Sequence, residues 1–175
     1  HLKLAAAEGI LNNIPSIIGS GLMIHNSLST PFNFMPQEYV DGRTSAITGE
    51  AGAQALICDG VDQCIRATRY VLNRGADFVK LWTRRNSYFH PDEFKAIIDT
   101  AAQNDKLVTV HCDCAKVSKA AINAGVKTVD HAVGVDEEYT EIANKKGIIF
   151  VSTLTVYKSP IDFGAEVGRG NEAER

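Results

Sequence analysis

One pattern recurs from residue 61 onward, and it restricts the choice of fold more than any other feature. Each repeat begins with an amphipathic stretch of helical spacing and ends in a short apolar run typical of a buried strand. Strands that alternate with helices of about 10–15 residues predict parallel βαβ units. The predicted helices cover 61–74, 90–105, 115–125 and 136–147, and the predicted strands cover 77–82, 106–111, 126–131 and 148–154.

The helix boundaries carry their own signals. Gly75, Gly125 and Gly147 follow the last apolar residue of three predicted helices, where glycine commonly ends a helix. Pro91 stands at a first-turn position and is followed by two acidic residues, which is typical of a helix start. We therefore expect four helices that begin and end close to these points.

The first third of the chain is less regular. A helix over 2–11 and a strand over 16–24 are predicted, and residues 26–60, with their prolines and glycines, are interpreted as one long loop. Five parallel strands result, which fit a doubly wound sheet or part of a (β/α)8 barrel. No G-x-G-x-x-G follows a strand, so the dinucleotide-binding fold is disfavoured. We assign residues 1–175 to a single domain.

Three successive strands end in a potential ligand, namely Lys80, His111 and His131. Barrel enzymes place their chemistry at the C-terminal ends of the strands. Alternation along a strand directs Lys80 and His111 away from their valine and leucine neighbours and into the barrel. The same rule puts His131 on one face with Val129 and leaves Asp130 on the outer face, as a rim or helix-capping acid.

Each of these side chains also has a structural interpretation. A single strand-end histidine is usually held by hydrogen bonds, and Lys80 could reach water or pair with Asp113. Three such groups at neighbouring strand ends favour a metal site instead, because histidine is the commonest metal ligand near neutral pH.

The motifs GADFVKLW, TVHC, AGVKTVDHAV and GIIFVSTLTVY occur in this order between residues 75 and 157. Together they resemble the metal-dependent amidohydrolase superfamily, in its imidazolonepropionase- and prolidase-like branch. The resemblance extends over most of the chain, from about residue 5. It implies a (β/α)8 TIM barrel of which this chain supplies about strands 3 to 7. It also implies a hydrolase that cleaves C–N bonds in amides, peptides or cyclic amides.

The resemblance also implies roles for the strand-end residues. Lys80 would be carboxylated by carbon dioxide and would bridge two divalent metal ions, with zinc as the first choice. His111 and His131 would bind the second metal. A water activated between the metals would then attack the carbonyl carbon.

Two elements of that family are not found in this sequence, an H-x-H on the first strand and a late catalytic Asp. We expect the H-x-H about 70–120 residues upstream of Lys80, from the usual length of βα units. We expect the Asp at a strand end after residue 175, and we expect the chain alone to be inactive. Cys112-Asp113-Cys114 stands where the family often has Ala-His-Gly; buried thiols are favoured there over metal ligands.

A small-molecule or dipeptide-like substrate follows from the resemblance. Candidate substrate contacts are His25, after the third barrel strand, with Tyr88, Tyr157 and the guanidinium of Arg84. Trp82 lies two residues beyond Lys80, and it could wall the pocket or simply pack.

Other functions remain as alternatives. Lys80 could act as an amine nucleophile in a Schiff-base lyase or aldolase, or the protein could bind ligands without turnover. The net charge of −3 and the scattered basic residues disfavour a nucleic-acid partner. No apolar run approaches the roughly 20 residues of a membrane span.

The four cysteines favour reduced thiols, with a Cys58–Cys64 disulfide as the alternative. A cytoplasmic location is favoured, and a homo-oligomer is left open.

Overall fold

The computed structural model describes residues 2–28, 44–46, 55–83, 88–155 and 158. Within these ranges the chain forms a parallel sheet of seven short strands and five helices. The strands are β1 (Met23–His25), β2 (Thr44–Ala46), β3 (Ala55–Ile57), β4 (Val79–Trp82), β5 (Val108–His111), β6 (Thr128–Asp130) and β7 (Ile149–Val151). The helices are α1 (Leu2–Ala7), α2 (Val61–Asn73), α3 (Pro91–Ala102), α4 (Ala115–Ala124) and α5 (Glu137–Lys145).

The strand order in the sheet is β2-β3-β1-β4-β5-β6-β7, and every neighbouring pair is parallel. From β4 to β7 the spatial order follows the chain, and one helix joins each strand to the next. Consecutive helices from α2 to α5 contact one another beside the sheet. The predicted alternation of helices and parallel strands is therefore confirmed.

The first third of the chain departs from the prediction. The segment 26–60 was expected to be one loop, but it contains β2 and β3, so the sheet has seven described strands instead of five. The predicted strand over 16–24 forms only at Met23–His25, and the first helix ends at Ala7. Cross-strand pairing explains the error: β3 lies between β1 and β2, with Leu56 opposite Ile24. Neither β2 nor β3 follows a predicted helix, and three residues by themselves are too few to show a period in sequence.

The predicted boundaries of the four helices after residue 60 are confirmed. Gly75 and Gly125 both adopt a left-handed φ of 84°, and each N–H donates to a carbonyl of the preceding helical turn. At the start of α3, His90 and Glu93 form a reciprocal capping box before Pro91. These contacts satisfy backbone groups that a helix end would otherwise leave without partners.

The hydrophobic core lies between one face of the sheet and the helices. On β4, β5 and β6 the apolar residues of that face are almost completely buried, and large side chains of α3 and α4 pack in the same cluster. The strand residues are Val79, Leu81, Val108, Val110 and Val129, and the helix residues include Phe94, Ile97, Val117 and Ile122. Alternation then forces the residues between them onto the opposite face.

None of the helices within the described ranges combines the length and the apolarity that a membrane-spanning helix requires.

Candidate active site at the strand ends

The face of β4, β5 and β6 opposite the helices carries the polar side chains. Register places Lys80 beside Thr109, Trp82 beside His111, and His111 beside Asp130. All five are half-buried, in contrast to the buried apolar residues that alternate with them. The face predicted for Lys80 and His111 agrees with this arrangement. The carboxyl ends of three adjacent strands thus bring an amine, an imidazole and a carboxylate to one edge of the sheet.

Lys80 forms a close ion pair with Asp130, whose second oxygen accepts a hydrogen bond from Thr128 Oγ1 at 3.3 Å. Each side chain of the pair is 21% exposed. The prediction that Asp130 lies on the outer face is wrong. Asp130 shares the inward face with Thr128, and Val129 is the residue that enters the helix layer. Lys80 on β4 is therefore held by the carboxylate of Asp130 on β6, two strands away in the sheet.

His111 and His131 are in direct contact. His131 Nε2 lies 2.9 Å from His111 Nδ1, and the two rings meet edge to face with centroids 4.5 Å apart. The Thr153 hydroxyl donates to the Ser152 carbonyl at 2.8 Å, so its one proton is committed. It therefore accepts from His131 Nδ1–H at 2.6 Å.

In the neutral ring, His131 Nε2 then carries a lone pair and accepts from His111 Nδ1–H. Burial, followed by the positive charge of Lys80, lowers the pKa of His131 from its ordinary value, while Asp130 and Asp113 act in the opposite direction. A neutral imidazole, which has a lone pair on one ring nitrogen, is the form of histidine that binds metal.

His131 reaches this face by an unusual backbone conformation. β6 ends at Asp130, and His131 and Ala132 have left-handed φ angles of 68° and 50°. The His131 N–H still donates to Val151 O at 2.8 Å, so the ladder with β7 continues by one bond. Simple alternation placed His131 with Val129, and the positive φ breaks that alternation. Such a conformation in a non-glycine residue needs support, which the bonds to His111 and Thr153 supply.

The His111 ring is held on its other side. Trp82 stacks on it with ring centroids 3.8 Å apart and planes 11° from parallel. Thr83 Oγ1 also donates a short hydrogen bond to the His111 carbonyl. Trp82 therefore packs against a candidate ligand and limits the orientation of its ring. Its role as a wall of the pocket stays a prediction.

His25, at the end of β1, is completely buried. Its Nδ1 lies 2.9 Å from the Asn26 carbonyl, which can only accept, so Nδ1 carries the proton and Nε2 carries a lone pair. No described residue hydrogen-bonds to that Nε2. Burial lowers the pKa of His25, against the opposing effects of the Asn26 carbonyl and of Asp59. β1 pairs with β4 through Ile24 and Leu81, which sets His25 at the level of Trp82.

The remaining predicted residues are placed less centrally. The Tyr88 ring lies beneath Lys116 Nζ, which is 5.3 Å from the ring centroid, and it packs on the edge of the core. Arg84 and Tyr157 lie outside the described residues.

Cys112 is buried, and burial raises the pKa of its thiol to about 12. A thiol that stays protonated is a poor ligand, which agrees with a packing role for Cys112.

Two residues that hold the site were not predicted. Thr153 was included in a predicted strand, yet it adopts a φ of 47° beyond the end of β7. Asp130 was noted but placed on the wrong face. The sequence did hold a signal for Asp130, because Thr128 and Asp130 alternate with Val129 as Thr109 and His111 alternate with Val110.

No family model matches the sequence. Among characterised proteins, the ochratoxinase of Aspergillus niger is 34% identical over 119 residues, which are 62% of this chain and 25% of that protein.

Solved structures show the same relationship over a longer range. The crystal structure of the A. niger ochratoxinase superposes on this chain with a TM-score of 0.79 at 26% identity. The superposition covers 98% of this chain and 43% of the ochratoxinase chain. A prolidase complexed with N-methylphosphonate-L-proline gives a TM-score of 0.75 at 25% identity, over 94% of this chain and 42% of its own. The resemblance to the amidohydrolase superfamily, in its prolidase-like branch, is confirmed. The predicted partial TIM barrel is confirmed as well.

The chain spans about a quarter of the curated relative and less than half of each of these two solved chains.

Proposed function

We propose that this chain forms the central part of a barrel enzyme that hydrolyses C–N bonds in amide or dipeptide-like substrates. Residues 1–175 would lie within a single barrel domain. The observation that carries the proposal is the contact of two histidines at neighbouring strand ends, beside a lysine on the same face. The likeness to an ochratoxinase and to a prolidase supports the reaction class and favours a small substrate.

The donor set suits a divalent metal. Two nitrogen ligands of a tetrahedral zinc, each at about 2.0–2.1 Å, lie ~3.3 Å apart. His131 Nε2 and His111 Nδ1 are 2.9 Å apart, so a small adjustment and a shift of the His111 proton would turn both lone pairs toward one ion. When bound, the metal supplies Lewis-acid activation of a water and of the scissile carbonyl.

Lys80 supplies the third ligand only after modification. Among the described residues no group of three or more His, Cys, Asp or Glu side chains could hold a metal ion. An ammonium cannot coordinate, so Lys80 can join the two imidazoles as a ligand only after it takes up carbon dioxide. In that reaction the neutral amine adds to carbon dioxide, loses a proton and becomes a carbamate anion with two oxygen donors. We propose this form for the active enzyme, with a second metal held by residues outside this chain.

Other residues of the chain would orient the substrate. The His25 Nε2 lone pair is buried and can accept a hydrogen bond from a substrate N–H. Trp82 excludes water from one side of His111 through its stacked ring. Tyr88, Tyr157 and Arg84 remain candidates for contact with a substrate carbonyl or carboxylate.

The proposal is tested on the full-length protein with N-acyl amino acids and dipeptides that end in proline. We expect hydrolysis that is lost on dialysis against a chelator and restored by zinc with bicarbonate. His131→Asn should lower kcat/KM by more than about 100-fold, because even the outer-shell partners of a metal ligand contribute 10–100-fold. The bound metal content should fall with it.

His90→Asn is the matched control. His90 caps an exposed helix start, a position that accepts Asn, so activity and metal content should stay at the wild-type level. Hydrolysis that survives both the chelator and His131→Asn would refute the metal mechanism. Trapping of a carbonyl substrate on Lys80 by borohydride would instead identify the Schiff-base alternative.

A further inference from the structure

Two cysteines meet at the turn between β3 and α2, away from the histidine pair. Cys58 directly follows β3, and Cys64 lies in the first turn of α2. Their Sγ atoms are 3.3 Å apart, and both residues are completely buried. Both are free thiols in this structure.

The turn between them brings the two sulfurs together. Gly60 has a φ of 82°, a conformation that side-chain-bearing residues rarely adopt, and its carbonyl accepts from the Cys64 N–H at 3.0 Å. A disulfide requires an S–S distance of about 2.05 Å, so the sulfurs need to approach by only ~1.2 Å. Side-chain rotation can supply an approach of that size without unwinding α2.

The same turn supports the end of β1. The Cys58 N–H donates to the His25 carbonyl at 2.9 Å, and Asp59 Oδ1 accepts from Ser27 N at 3.1 Å and from Ser27 Oγ at 3.2 Å. The Gly60 N–H donates to Glu93 Oε1 at 2.6 Å, which links the turn to the start of α3. A covalent bond across the turn would therefore stabilise the backbone that carries His25.

We propose that Cys58 and Cys64 form a reversible disulfide with a low-molecular-weight disulfide, such as oxidised glutathione, as the oxidant. One protein thiolate attacks the glutathione disulfide and releases a first reduced glutathione. The second protein sulfur displaces the other glutathione, so the Cys58–Cys64 bond forms as the glutathione S–S bond is consumed. Two electrons and two protons pass to the two reduced glutathiones. This proposal does not depend on the proposed hydrolase activity.

The surroundings predict slow exchange in both directions. The hydrogen bond with the Cys64 thiol, followed by burial, raises the pKa of Cys58, so little thiolate is present at neutral pH. The sulfurs are also closed to solvent, and exchange requires the turn to open. Once formed, the bond would be shielded from reductants in the same way.

Peptide mapping of the full-length protein tests the proposal directly. Separate samples are incubated in oxidised and in reduced glutathione until the proportion of each thiol form no longer changes. Each sample is then quenched in acid, denatured, alkylated and digested with trypsin. Cys58 and Cys64 fall in one peptide, 44–66, and Cys112 and Cys114 fall in another, 107–116, which serves as the internal control. After oxidation we expect peptide 44–66 to be two hydrogen masses lighter than the dithiol and unalkylated, while 107–116 carries two alkyl groups. Both peptides should be doubly alkylated after reduction.

Thermal unfolding supplies a second readout. Oxidation should raise the Tm of the wild type by about 5 °C, as expected for a short loop closed by a disulfide. The double variant Cys58→Ala/Cys64→Ala should show the same Tm in both buffers. Full alkylation of peptide 44–66 after oxidation, a stable mixed disulfide with glutathione, or a bond between two protein molecules would each overturn the proposal.

Discussion

The two faces of β4, β5 and β6 have opposite roles, although their residues alternate along the same strands. The face toward the helices carries Val79, Leu81, Val110 and Val129, all with no exposed surface. The inward face carries Lys80, His111 and Asp130, which are half-buried and polar. One face is stabilised by the removal of apolar surface from water, and the other is held by directed contacts among groups that water would otherwise solvate.

This contrast shows where the molecule is robust and where it is specific. Apolar packing tolerates exchange between residues of similar size. The inward face does not, because each polar group has a particular partner: Lys80 with Asp130, and His111 with His131. The helix-facing side should therefore dominate the stability of the fold, while the inward side should dominate its chemistry and its response to pH.

The largest effect on stability should come from the helix-facing side. Leu81→Ala removes a completely buried side chain from the centre of the sheet. We expect the free energy of unfolding, measured by urea denaturation of the full-length protein, to fall by about 3 kcal/mol. Leu107→Ala is the control, since Leu107 is 54% exposed and should cost less than about 0.5 kcal/mol. Equal losses for the two variants would contradict the assignment of the core.

A smaller effect is expected from the inward ion pair. Asp130→Asn removes the charge that pairs with Lys80, in a site that is about one-fifth exposed. The free energy of unfolding should fall by about 1 kcal/mol. Asp99→Asn breaks the exposed pair with Lys95 and should cost less than about 0.5 kcal/mol. A loss for Asp130→Asn as large as that for Leu81→Ala would remove the distinction between the two faces.

The smallest effect concerns pH and His25. Its pKa in the folded state lies below the ordinary value of 6.5, so the unfolded chain binds a proton first as the pH falls. Stability linked to His25 is therefore fully present above about pH 6.5 and is lost as the pH drops through the folded pKa. His25→Asn should flatten the slope of unfolding free energy between pH 7 and pH 5, whereas His90→Asn, at an exposed position, should not. An unchanged slope in His25→Asn would contradict the buried neutral form.

Much of the fold could be predicted from residue 61 onward because local signals agreed with the tertiary structure. Amphipathic spacing, glycine stops and Pro91 identified the helices, and short apolar runs identified β4 to β7. β6 and β7 have three residues each, as β2 and β3 do, but each of them follows a predicted amphipathic helix. No such helix was predicted before β2 or β3, and three residues by themselves show no period. β3 is determined by its pairing with β1, and β2 by its pairing with β3; such pairing is a long-range property of the chain.

The candidate site, like the fold, has features that the sequence predicts and features that only the tertiary structure decides. Sequence alone marked Lys80, His111 and His131, because polar groups at the ends of apolar strands are informative wherever parallel strands lie side by side. Only the tertiary structure showed that Asp130 turns inward to Lys80 and that a left-handed φ at His131 brings its ring onto His111. Alternation assumes a regular strand, and the backbone leaves the regular strand at the residue where β6 ends.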